Sequence, residues 1–245
     1  MSGSVLRYRY EPGRSYRYLL QMRVTAEVES TGTPLPITQI VEIRGSLTLA
    51  VRSVDGDVAT IDVVTEPLSG EVPTGEFFFG PAAVDDPFSA LPKEFRATPR
   101  GVERGAGEAP ALDALFPALP AAPVRADAMW IVGPDGQEAT PETTGAVHLR
   151  FLGRERGEDG APYDVVATFT GQAWTARPGG DGTVVQGETR RMTEIQLALD
   201  DGWAARVDGR VESTLRFEAP AGVEAPSRTV RTTVELLFER APAAG

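Results

Sequence analysis

His148 is the only histidine in the 245-residue chain, and so the only side chain whose ordinary pKa lies near neutrality. A general base needs a nucleophile within reach and a third group to orient it. His148 sits in GAVHLRF (145–151), on the polar side of an alternating run, opposite Val147 and Leu149. It reads as a strand-surface residue. The chain holds no G-x-S-x-G elbow and no serine–lysine motif. Cysteine is absent, which removes thiolate nucleophiles, disulfides and sulfur-ligated metals, and one histidine rules out a histidine-cluster site. Gly105-Ala106-Gly107 lacks the third glycine and the strand-to-helix context of a phosphate cradle.

Carboxylates are plentiful. Asp55/Asp57, Asp85/Asp86, Glu158/Asp159 and Asp200/Asp201 pair up in turn-like stretches, and calcium takes oxygen ligands of this kind. None has the twelve-residue spacing with a closing glutamate, so all four read as solvated turns. A glycosidase needs two carboxylates, but 35 acidic residues single out no pair, and aromatics make up only 7% of the chain. The expectation is a non-catalytic protein with no metal and no cofactor.

The feature that asks for a partner is apolar. In Glu76-Phe77-Phe78-Phe79-Gly80, three consecutive phenylalanines cannot all point inward from one strand. Phe88 and the ALDALFPALP segment (111–120) follow. Three covers satisfy such a run: the middle of the chain acting as a plug, a lid over an apolar ligand, or another protein. For a ligand, Phe77, Phe78, Phe79, Phe88, Leu112, Leu115, Phe116 and Trp130 would line the pocket mouth.

Positioning these residues falls to β-strands, because period-2 alternation dominates the chain. In LRYRYEPGRSYRY (6–18), Leu6, Tyr8 and Tyr10 share one side and Arg7 and Arg9 the other. Pro12-Gly13 suits the centre of a type II turn. The simplest expectation is a hairpin that sets Tyr10 against Tyr16, Tyr8 against Tyr18 and Leu6 against Leu20. The strand period sends tyrosines and arginines to opposite faces, so they do not converge as a nucleic-acid platform would require. A net charge of −11 also argues against nucleic acid. The arginines between 7 and 23 remain available to an acidic protein partner.

Further strands follow. Val41 to Val51 alternate, with Gly45 marking a bulge. Asp55-Gly56 signals a hairpin back through Ala59, Ile61 and Val63. Between 66 and 123, prolines at 67, 73, 81, 87, 92, 99, 110, 117, 120 and 123 break the rhythm, leaving a short strand near 93–98. A helical turn or two begins at Pro110, with Leu112, Leu115, Phe116 and Leu119 as its apolar stripe. Strands resume with Val147, Leu149 and Phe151. Val165, Ala167 and Phe169 form the apolar side of the next, then Ile195, Leu197 and Leu199, then Trp203, Ala205 and Val207. Val211 to Phe217 and Val230 to Phe238 complete about ten strands.

The expected fold is all-β: one domain over 1–245, a strongly curved antiparallel sheet or open barrel. An N-terminal meander (5–65) and C-terminal strands (124–240) flank a loop-and-short-helix crossover (66–123) packed over the sheet. No apolar run approaches the ~20 residues that span a bilayer. MSGSVLRYRY shows no export signal, which places the chain in the cytoplasm as written, or outside it if a signal has been removed.

LRYRYEPGRSYRY, the central LFPALP (115–120) followed by Met129-Trp130, and RVDGRV (206–211) together resemble a group of uncharacterised bacterial β-rich proteins, a domain of unknown function. That resemblance covers most of the chain and implies no catalytic residues; members of the group are commonly exported. In architecture alone the chain is similar to lipoprotein carriers, whose curved sheet wraps a helical plug around lipid. What these likenesses imply is a binding protein for an apolar, lipid-like ligand. The alternative is an interaction protein that uses a sheet edge or the Phe-rich loop.

Overall fold

The computed structural model describes residues 3–31, 35–69, 91–103, 110–176, 184–218 and 227–242. The N-terminal half contributes β1 (Ser15–Ser30), β2 (Ile37–Asp55), β3 (Val58–Ser69), β4 (Glu94–Thr98) and β5 (Gly101–Val102). A short helix, α1 (Pro110–Leu115), leads to β6 (Met129–Val132), β7 (Val147–Arg156), β8 (Pro162–Ala176), β9 (Val184–Ala198), β10 (Ala204–Glu218) and β11 (Arg228–Arg240). All eleven form one antiparallel sheet in the order β5-β4-β3-β2-β1-β11-β10-β9-β8-β7-β6.

This order is a meander closed on itself except at one place. Every neighbour in sequence is a neighbour in the sheet, and β1 pairs with β11 over Tyr18–Arg240 to Ser30–Arg228. Among the described residues the ladder breaks between β5 and β6, and the chain between those two strands carries α1. That segment is the plug. Phe116, just past α1, lies 5.6 Å from the Phe95 ring on β4 and 5.0 Å from the Trp203 ring beside β10. In a flat sheet β4 and β10 would be ~24 Å apart, five spacings of about 4.8 Å. The two ring distances together span less than half of that, so the sheet curls around Phe116.

Local chemistry behaves as the sequence implies at several points. Gly13 takes φ 82° and Arg14 N–H donates to Glu11 O, a type II turn over Pro12-Gly13. Gly56, with φ 59°, is the first of two residues joining β2 to β3. The β2–β3 register slips between Arg44 and Ser46, across Gly45. Leu112, Leu115, Phe116 and Leu119 are all buried against the sheet.

Three expectations need correction. The opening hairpin does not form, because both edges of β1 are taken, one by β2 and the other by β11. Residues 5–10 instead run as an extended strap across the end of the curl. Tyr8 N–H donates to Pro99 O, Arg9 N–H to Asp201 O, and Ser4 pairs with Val124. The alternation survives: Leu6 and Tyr8 are buried, whereas Arg7 and Arg9 are exposed. Second, Ala205 gives its core place to Ala204, because the β9–β10 register slips between Ala204 and Arg206.

The third correction concerns β8. Of its expected apolar set, Val165 and Ala167 are buried, as the sequence implies, but Phe169 on the same side is 37% exposed, and Val166, Thr168 and Thr170 face the core cluster instead. The registers carry this assignment: Val166 sits opposite Phe151 and Ile195, and Thr168 opposite Leu149 and Thr193. A one-residue shift exchanges the two faces of any strand.

Candidate functional site

The predicted site residues separate into three groups. Phe77, Phe78, Phe79 and Phe88 lie outside the described residues. Leu112, Leu115 and Phe116 are packed in the core. Trp130 on β6 is half-buried, and its indole N–H donates to Ala118 O at 2.8 Å, tying β6 to the plug. Of these, Phe116 also borders the small recess described below. His148 lies on the outer face opposite Phe169.

The sealed end of the curl is an aromatic cluster. Phe116 meets Tyr8, Phe95 and Trp203, and Tyr16 stacks on Trp203 at 4.2 Å between ring centres. Each hydroxyl or indole N–H is satisfied, as burial demands. Tyr8 donates to Pro117 O, Tyr10 to Thr98 O, Tyr18 to Ala204 O and Trp203 to Arg9 O. Burial is the chief reason that the Tyr8, Tyr10, Tyr16 and Tyr18 hydroxyls hold their protons well above the ordinary value of 10.0. Asp201, read from sequence as a solvated turn residue, is 3% exposed and binds Tyr16, Arg240 and the Trp203 backbone.

A groove of about 690 Å³ lies on the described sheet. It crosses the outer face of β2, β1, β11, β10, β9, β8 and β7 between two rows of outward side chains. Over β1, β2, β10 and β11 those rows alternate in charge. Arg23 stands opposite Glu42 and Glu235, and Arg210 opposite Glu235. Over β7 to β9 the groove becomes apolar. Phe169 and Met192 are direct cross-strand neighbours, 37% and 55% exposed, with Leu152 and Ala167 beside them. Glu194 marks the boundary. Burial first, then the like charges of Glu155 and Asp208, raise its carboxyl above the ordinary range.

Sequence reasoning missed this groove because it credited Phe169 to the core. The signal available was Met192 in TRRMTE (189–194), an apolar side chain out of step with Ile195 and Leu197. On the other side of the same strands lies a mixed recess of about 70 Å³, with Thr168, Thr170, Thr193 and Arg191 set against an apolar wall that includes Phe116 and Leu149.

No protein-family model matches the chain, and no curated protein matches it. Among solved structures, a DUF1329 family protein from Desulfovibrio piger ATCC 29098 is similar at 10% sequence identity, over 93% of this chain and 87% of that one. The TM-score is 0.16, a likeness that defines no fold.

Proposed function

We propose that the protein is a non-catalytic binding protein that holds an elongated apolar, lipid-like molecule against its curved sheet. The observation that carries this reading is the outer groove. Its volume of about 690 Å³ lies within the ~300–1,000 Å³ of small-molecule sites. Its apolar end exposes Phe169 and Met192 side by side, where an outer strand face would ordinarily be polar. An apolar body seats over β7 to β9, and a polar or charged end meets the arginines and carboxylates over β1, β2 and β10.

Nile red, a neutral apolar dye, tests the reading. Its fluorescence rises with one-to-one stoichiometry in the wild-type protein and falls back in Phe169→Asp and Met192→Asp, whose side chains point away from the core. A wild-type protein that leaves the dye dark, or variants that bind it as well, would overturn the groove as the site.

A protein partner is the second reading, favoured by the outer edge of β3. β4 pairs with β3 only from Ala59 to Asp62, and β3 continues to Ser69. Among the described residues no strand pairs with that edge beyond Val63. An extended peptide could add there through backbone hydrogen bonds. Phe169→Asp and Met192→Asp would leave such a complex intact, which separates it from the groove.

A further inference from the structure

The shifted face of β8 also changes what stands beside the inward side of β9. Arg191 lies on the core side of β9, opposite Thr170 on β8 and Val211 on β10. It is half-buried, and among the described residues its side chain makes no ion pair and no hydrogen bond. Two other arginines that the fold partly buries are paired: Arg240 with Asp201 at 3.0 Å and Arg206 with Asp208 at 2.8 Å. None of the Arg191 nitrogens is fully buried, so a guanidinium with no ion pair of its own among the described residues keeps its charge available to an anion entering from solution.

The surroundings suit one. Thr168, Thr170 and Thr193 line the same recess as Arg191 and bring hydroxyl donors without adding charge. Phe116 and Leu149 wall it with apolar surface, which limits water and strengthens charge-assisted bonds inside. Asp113 of α1 is the acid that also lines the recess, and its side is exposed. The volume of about 70 Å³ equals the share of roughly two waters at ~30 Å³ each. It admits a head group and excludes a hydrocarbon chain.

We propose that this recess is an oxyanion site, in which the Arg191 guanidinium takes a carboxylate or phosphate group end-on and the threonine hydroxyls complete its shell. The anion is either a small free ion or the head of a chain-bearing molecule whose tail leaves the recess along the half-buried inner side chains Val211 and Val234. The site is separate from the groove: Arg191 and Met192 are adjacent in sequence and point to opposite faces of β9.

Calorimetry on the full chain tests it with four probes: acetate, inorganic phosphate, dodecanoate and dodecyl phosphate, the last two below their micelle concentrations. At least one binds one-to-one to the wild-type protein and is weakened about tenfold or more in Arg191→Met. Binding by acetate or phosphate alone identifies a free anion, and binding that needs the dodecyl chain identifies a head group. Met192→Asp leaves this binding unchanged even if it abolishes dye binding in the groove, so the two sites fail independently. Thermal unfolding supplies a second readout. Ligand-free Arg191→Met melts no lower than wild type, because it loses an unpaired charge, and it no longer gains stability from the anion. Absence of binding by all four probes, equal affinity in Arg191→Met, or a lower melting temperature for the ligand-free variant would each overturn the proposal.

Discussion

The Asp201 carboxylate accepts a hydrogen bond from the Tyr16 hydroxyl at 2.9 Å, joining side chains 185 positions apart. The same oxygen accepts from Arg240 at 3.0 Å, and the second oxygen accepts from Trp203 N–H at 2.9 Å. One buried acid thus fastens β1, β11 and the β9–β10 turn together. Asp201→Ala leaves the Arg240 charge and the Tyr16 hydroxyl without their acceptor. It is expected to lower stability by about 3 kcal/mol in urea unfolding, with Asp201→Asn falling between it and wild type.

Gly202 adopts φ +74°, and a Cβ there would lie 2.0 Å from Arg7 O in the strap. Gly202→Ala must therefore push the strap off the end of the curl, and a loss of at least ~2 kcal/mol is expected. Gly13→Ala is the control. Gly13 also has positive φ but nothing within 4 Å of its Cβ, so only backbone strain of about 1 kcal/mol applies. Equal losses in the two variants would contradict the packed strap.

Alkaline stability follows from the buried tyrosines. In the folded chain Tyr8, Tyr16 and Tyr18 keep their protons beyond the pH at which unfolded tyrosines release them, near 10.0. The unfolded state therefore binds fewer protons as pH climbs past that value, and ionisation draws the chain toward it. Stability is undiminished by these groups below about pH 10 and falls as pH rises above it. Tyrosinate absorbance at 295 nm should rise together with loss of β circular dichroism. Ionisation of these three rings near pH 10 with the sheet intact would refute their burial.

Phe116 joins both halves of the curl through Phe95 and Trp203. Phe116→Ala is expected to cost about 3–5 kcal/mol, the range for a deleted buried aromatic. Met192→Asp, on the outer face, should stay within about 0.5 kcal/mol of wild type while losing the dye. The pair of measurements separates what holds the fold from what binds on it.

Alternation along the chain by itself determined the extended backbone, the turns at Pro12-Gly13 and Asp55-Gly56, the bulge at Gly45 and the apolar stripe after Pro110. These are local properties: side chains two apart share a face, and proline and glycine restrict φ wherever they stand. Only the tertiary structure decided that β1 pairs with β11, that the first tyrosines form a strap, that Asp201 is buried, and that β8 turns Phe169 outward and β9 turns Arg191 inward. Backbone ladders are chemically alike, so a strand does not name its neighbour. Where both sides of a strand are part apolar, as in VVATFT (165–170), periodicity separates the faces but cannot say which is inside. That choice is made by packing around Phe116, and it leaves the unpaired arginine and the exposed Phe169–Met192 pair on opposite sides of the same two strands.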